Sequence, residues 1–185
     1  MLIALVGIGI GILFVVFIYN TLVSRVNGTQ NALRGIDVLL TKRSELIPNL
    51  VAVVQKYASH EKETLAEVTK MRSAPRASEP SVRALSEQDA AVTGAIGRLM
   101  MVAESYPDLK ANENFIHLQS TLHEIESQLS AARRAFNAAA TDQNNSVMQF
   151  PSNILAGMFG FKQSALYEAQ ESHRQNVDVK KLFSA

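Results

Sequence analysis

The chain has no cysteine and no tryptophan. Without a thiol there is no disulfide framework, no thiolate nucleophile and no Cys-ligated metal. The compartment stays open, because a cysteine-free domain folds on either side of a membrane. An excess of one charge is also missing. The 18 basic residues face 17 acidic ones and form no long basic block, so nucleic-acid binding has no electrostatic support. Strand-like alternation and internal repeats are absent. What is there is rich in Ala, Leu, Ser and Glu and poor in aromatics, a helical composition.

Charge is missing altogether from the first segment. No charged side chain occurs before Arg25, and residues 2–18 are apolar or glycine without a break. Roughly 20 helical residues cross the ~30 Å hydrocarbon core of a bilayer. The run reaches that length with Tyr19 to Val23 as its interfacial end, where a Tyr ring suits headgroup depth. A cleaved signal peptide would need a basic start and a small-residue cleavage site; nothing basic precedes the run, and Tyr19-Asn20-Thr21-Leu22 is a poor site. A buried core helix would show a polar face, and none is seen. Residues 1–23 are therefore expected to be a retained transmembrane anchor. Basic residues flank it only on the C-terminal side, at Arg25, Arg34, Lys42 and Arg43. The positive-inside rule then keeps the bulk of the chain in the cytoplasm. Gly7 and Gly11 have the small-x-x-x-small spacing that lets two membrane helices approach closely, a short and common motif.

From Leu22 to Met71 the apolar positions recur in fours and threes, the 3.5-residue period of a helix in a coiled-coil-like bundle. One helix is expected, running on from the anchor and kinked near 45–49 by Pro48, which lacks a donor for the Ser44 carbonyl. Residues 73–80, with two prolines, read as a linker. A second stripe runs from Val82 to Ala103 and ends at Tyr106-Pro107. A third runs from Phe115 to Gln143 and stops before Phe150-Pro151. Residues 154–161 are a short apolar piece. The predicted fold is all-α: an anchor (1–23), an elongated antiparallel bundle of three long helices with a short C-terminal helix (24–161), and a polar C-terminal tail (162–185).

Candidate chemistry is sparse. His60-Glu61 and His123-Glu124 begin like H-E-x-x-H, but Thr64 and Ser127 stand where the second His belongs. No P-loop, nucleophile elbow or dinucleotide fingerprint occurs. More telling are Arg43, Glu61, Asp89 and Gln143, which occupy core-facing registers on the apolar stripes. A charge there must be paired or reach water. Either bundle ends and loose seams tolerate these residues, or they pair across helices and fix register. Arg43 is expected to be paired, with Asp89 and Glu126 its first partners. Glu126 and Arg133, two turns apart, read most simply as a solvated face, or as a contact with another helix or chain.

Four stretches resemble the LemA family of bacterial membrane proteins. They are Tyr19-Asn20-Thr21-Leu22-Val23; Ile36 through Val51, with Thr41-Lys42-Arg43-Ser44-Glu45-Leu46-Ile47-Pro48-Asn49-Leu50 at its centre and Tyr57 and His60-Glu61 beyond; Tyr106 through Phe115; and Ala132-Arg133-Arg134 with Phe136-Asn137, followed by Phe150-Pro151-Ser152-Asn153. Phe136 and Gln143 depart from the Tyr usual there, which puts in doubt any polar contact the family makes with those hydroxyls. The resemblance implies a membrane-anchored helical bundle without a defined enzymatic activity. It also implies association with envelope stress, with a membrane zinc protease of the HtpX type, or with magnetosome biogenesis.

The leading expectation is a non-enzymatic scaffold that self-associates at the bacterial inner membrane, with lipid and further copies of itself as partners and no cofactor or metal. The alternative is an adaptor or regulator of a membrane protease or envelope-stress machinery; an enzyme comes third. Gly7 and Gly11, together with Leu155, Met158 and Phe159 of the short apolar piece, are the expected oligomer contacts. That piece must be buried against its own bundle, a neighbour or the bilayer surface.

Overall fold

A computed structural model of the chain describes residues 1–71 and 80–167. The linker expected at 73–80, apart from Pro80, and most of the tail expected at 162–185 lie outside the described residues. Among those described, seven helices and no strand occur: α1 (Leu2–Glu45), α2 (Ile47–Tyr57), α3 (Lys62–Met71), α4 (Val82–Glu104), α5 (Pro107–Lys110), α6 (Glu113–Met148) and α7 (Ser152–Phe159).

The apolar run and the first part of the bundle are one helix. No proline falls within α1, so nothing removes a donor from its hydrogen-bond ladder. Its 44 residues extend about 66 Å. The N-terminal part is long and apolar enough to cross a membrane, with almost none of it buried within the chain, and it fits a single-pass membrane anchor. Near Pro48, where a kink in one continuous helix is expected, α1 instead ends at Glu45 and α2 begins at Ile47. Leu46 bridges to α2 with its N–H bonded to the Arg43 carbonyl at 3.3 Å, and Pro48 occupies the first turn of α2, where its missing donor costs nothing.

The long helix predicted to run to Met71 breaks a second time. Ala58, fully buried, leaves helical geometry at φ −115° and ψ 55°, and the Glu61 N–H bonds the Ala58 carbonyl at 3.2 Å. The break lets α3 pack against both α2 and α4, with Leu65 and Val68 buried. It also takes Glu61 off the helical stripe. That residue stands half-buried just before α3, and among the described residues no hydrogen bond or ion pair joins its carboxylate to the other charges. The four-three pattern continued through 58–61 by coincidence of spacing, with no continuous helix behind it.

Side-chain caps start the other long helices. Ser81 Oγ accepts from the Ala84 N–H at 3.2 Å, and Asn112 Oδ1 accepts from the Phe115 N–H at 3.1 Å. Asn112 also donates through Nδ2 to the Tyr57 hydroxyl at 3.0 Å, which fastens the end of α2 to the start of α6.

α6 runs antiparallel to α1, and α4 lies against both α1 and α2. Apolar burial falls into three groups along this rod. The far end packs Leu50, Val54, Leu99, Leu109 and Phe115. The middle packs Ile36, Leu40, Leu85, Leu129 and Phe136, with Tyr167. At the anchor end Ile18 and Leu22 pack on Ala156 of α7.

Candidate functional site

Between the far and middle apolar groups lies a cluster of charge drawn from four parts of the chain. Arg43 comes from the last turn of α1, Asp89 and Thr93 from α4, Glu126 and Arg133 from α6, and Tyr167 from the segment after α7. Arg43 and Asp89 side chains are each only 9% exposed. The Arg43 Nη1 donates to Asp89 Oδ1 at 3.1 Å and to Thr93 Oγ1 at 3.2 Å. The same nitrogen lies 2.9 Å from Glu126 Oε2, an ion pair off the hydrogen-bonding direction. Arg133 donates through Nη1 to Glu126 Oε1 at 3.2 Å and through Nη2 to Asp89 Oδ2. The Tyr167 hydroxyl donates to Asp89 Oδ2 at 3.1 Å.

Two guanidiniums thus face two carboxylates, and the cluster is neutral by its own bookkeeping. Asp89 is its centre, accepting from Arg43, Arg133 and Tyr167. Charges this deep are tolerated only when paired and hydrogen-bonded. Burial works against the charge on Arg133, but Asp89, Tyr167 and Glu126 outweigh it and hold its pKa above the ordinary arginine value. Burial and the Asp89 carboxylate together push the Tyr167 hydroxyl up to about 12. The Arg133 guanidinium also lies 5.6 Å from the centre of the Tyr167 ring, within cation–π range.

Tyr167 reaches this place because α6 holds the returning chain with side-chain amides. Gln143 Nε2 donates to the Lys162 carbonyl at 2.9 Å. Asn144 donates to the Ser164 carbonyl at 3.0 Å and accepts from the Ser164 N–H at 2.7 Å. Asn137 does the same for Tyr167, at 2.9 and 2.8 Å. Asn137 and Asn144 are two helical turns apart, roughly 10.5 Å. Ser164 and Tyr167 are three residues apart, about 10 Å in an extended chain. The two spacings match, so residues 162–167 lie antiparallel along α6 as a strap and do not begin a free tail. Sequence reasoning missed the strap. The paired Asn at a two-turn interval was the available signal, but its partner is backbone, which no side-chain pattern reports.

The expected site residues separate into groups. Arg43, Asp89 and Glu126 are brought together; Glu61 is not, because α3 begins there. Arg133 and Tyr167 join them; of the two readings of Glu126 and Arg133, a solvated face or a contact with another helix, the contact is the one seen, with Glu126 still 42% exposed. Gly7 and Gly11 stand on an open face, where an added Cβ would meet nothing within 4 Å. Leu155 is half-buried against Ile18 and Leu22, whereas Met158 and Phe159 are exposed, the Phe159 ring meeting Tyr19 edge-on at 4.9 Å. Among the described residues no three His, Asp or Glu are grouped as metal ligands. Each charged group of the cluster is directed at another member. The arrangement holds four segments in one register.

A family model described as the LemA family matches residues 32–180. Protein LemA of Metamycoplasma hominis is 27% identical over 175 residues, covering 94% of this chain and 80% of its own. Magnetosome protein MamQ 2 of Paramagnetospirillum magneticum is 25% identical over 190 residues, covering 89% of this chain and 70% of its own. Magnetosome protein MamQ of Magnetospirillum gryphiswaldense is 22% identical over the same length and coverage. The matched region takes in every residue of the polar cluster and the whole strap, and on that match this chain belongs to the LemA family.

Proposed function

We propose that the protein is a non-enzymatic, membrane-anchored helical scaffold that self-associates at the bacterial inner membrane with its bundle in the cytoplasm. The observation that carries this reading is the continuity of α1. The helix that would cross the bilayer runs unbroken into the bundle and ends in the Arg43–Asp89–Glu126 cluster. A bundle joined to its anchor through a rigid helix holds a fixed stance, which suits a structural part. The relatives described above carry the names of a family and of magnetosome proteins; neither name denotes a reaction. Self-association is supported by the open face at Gly7 and Gly11 and by the higher local concentration that anchoring produces.

Mass measurement of the full chain in mild detergent tests this. A homo-oligomer that dissociates when Gly7 and Gly11 are both changed to Leu is the expected result; a monomer at every detergent concentration overturns self-association. Recovery from native membranes with a stoichiometric protease or transport component, and no second copy, would replace the scaffold with an adaptor. A reporter fused after Ala185 that is active only in the periplasm would reverse the orientation.

A further inference from the structure

The end of the rod beside the anchor is free of charge on two separate stretches of chain. On α1 no charged side chain precedes Arg25. At the turn from α6 to α7 none occurs between Asp142 and Lys162. These boundaries lie at one level, because Arg25 and Asp142, the first charges on either side, form an ion pair at 2.8 Å. Everything beyond that pair, on both stretches, is apolar or uncharged.

α7 lies within this zone, at a depth that α1 sets. Residues 2–18 rise about 25 Å, against a hydrocarbon core of ~30 Å. Tyr19 to Ser24 therefore fall where acyl chains give way to headgroups. α7 packs at that level, with Ala156 buried on Ile18 and Leu22, and with Phe159 and Phe161 against the Tyr19 ring at 4.9 and 5.7 Å. Away from that contact the turn and the helix are open and apolar: Phe150 in the turn is 80% exposed and Met158 on α7 73%, with Ile154 and the rest of Phe159 more than half exposed. A patch of this kind needs a cover.

We propose that the α6–α7 turn and α7 insert into the headgroup and outer acyl region of the bilayer, so that the chain holds the membrane at two adjoining places. The partner is the lipid surface, and this rests on the reading of α1 as a membrane span. At both ends of α7 backbone N–H groups find internal partners, as lipid requires. At the end of α7, Gly160 turns left-handed at φ 74°, and the Phe161 N–H bonds the Ala156 carbonyl at 2.9 Å. At its start the Asn153 N–H bonds the Gln149 carbonyl at 2.8 Å. The uncharged polar residues Gln149, Ser152 and Asn153 suit headgroup depth, and Lys162 closes the segment on the aqueous side. The level that α7 shares with the end of the apolar run favours lipid over a second copy as the cover for Met158 and Phe159.

Because the chain has no cysteine, single thiols can be placed at will. The full chain carrying Met158→Cys with an environment-sensitive fluorophore is reconstituted in phosphatidylcholine–phosphatidylglycerol vesicles, so dilute that a vesicle holds one chain. Ile10→Cys reports on the anchor and Met101→Cys on the far end of α4. The expected result is loss of most Met158→Cys emission to a lipid bearing a nitroxide near its glycerol, with little effect of aqueous iodide. Met101→Cys should show the reverse. An iodide-quenched, lipid-insensitive label at 158 overturns the proposal. So does a label shielded from both, which would mean that protein covers it. If Ile10→Cys lies in lipid and 158 does not, only the docking of α7 fails; if neither does, the anchor reading fails with it.

Discussion

The Tyr167 hydroxyl and the Asp89 carboxylate meet at 3.1 Å across 78 residues of chain, joining the strap after α7 to the middle of α4. Asp89 also receives buried Arg43 and half-buried Arg133, so three segments depend on one carboxylate.

Removing that carboxylate should therefore do more damage than removing any one of its donors. Asp89→Ala leaves Arg43 and Arg133 to share the single Glu126 carboxylate, one positive charge in excess, and should cost about 3–5 kcal/mol, whereas Tyr167→Phe should cost about 1.5 kcal/mol. Arg43→Met, which keeps volume, should be milder than Arg43→Ala. Urea unfolding of the full chain in mild detergent, followed by its helical signal, gives the order. An Asp89→Ala protein as stable as Tyr167→Phe would refute the central role of Asp89.

The raised Tyr167 pKa has a defined pH signature. Its folded value, about 12, lies above the ordinary 10 of an unfolded chain, so the folded state retains the proton longer. The stabilisation is fully present below pH ~10 and is lost as pH rises through about 12. With four tyrosines and no tryptophan, phenolate absorbance reads this directly. Part of the phenol signal should persist as the pH nears 12, and Tyr167→Phe should remove that late part.

The strap should come loose without loss of the bundle. Asn137→Asp keeps the acceptor for the Tyr167 N–H but loses the donor to its carbonyl, and adds a charge beside Arg133. Asn144→Ala removes both bonds to Ser164. In either variant the Ser164 and Tyr167 amides should exchange with solvent many times faster, while amides in the middle of α6 keep their protection. Equal protection in variant and wild type would mean that the strap is held by something other than these amides.

Gly160→Ala should be felt at the end of α7. At φ 74° a Cβ costs about 1–2 kcal/mol although nothing crowds the site. Exchange should quicken at the Phe161 amide and leave the α4 core unchanged. A Gly160→Ala chain with a fully protected Phe161 amide would contradict the turn.

The long helices were legible because their evidence is periodic and local: stripes of threes and fours, an N-cap Asn before Phe115, a proline where α1 ends. Arg43 and Asp89 were legible as charges in apolar registers, and such charges call for partners. Glu61 looked the same yet belongs to a helix start, since a four-residue break preserves a four-three count while discarding the helix. The roles of Arg133 and Tyr167 were hidden for a different reason. Arg133 depends on how α6 lies against α4, and Tyr167 on how the chain after α7 returns along α6, a return held by amide-to-backbone bonds that leave no apolar pattern. The shared level of Arg25 and Asp142 likewise appears only once the antiparallel register of α1 and α6 is known.

The unbroken α1 makes the protein a lever. About 30 Å of the helix stands between Arg25 and Glu45, so a 10° change in tilt would carry its far end sideways by roughly 5 Å. Bilayers of different thickness set different tilts in a spanning helix. With α1 as a spanning helix, a change in membrane thickness would thus arrive at the Arg43–Asp89 cluster, beside the end of α1, as a displacement comparable to one helical turn.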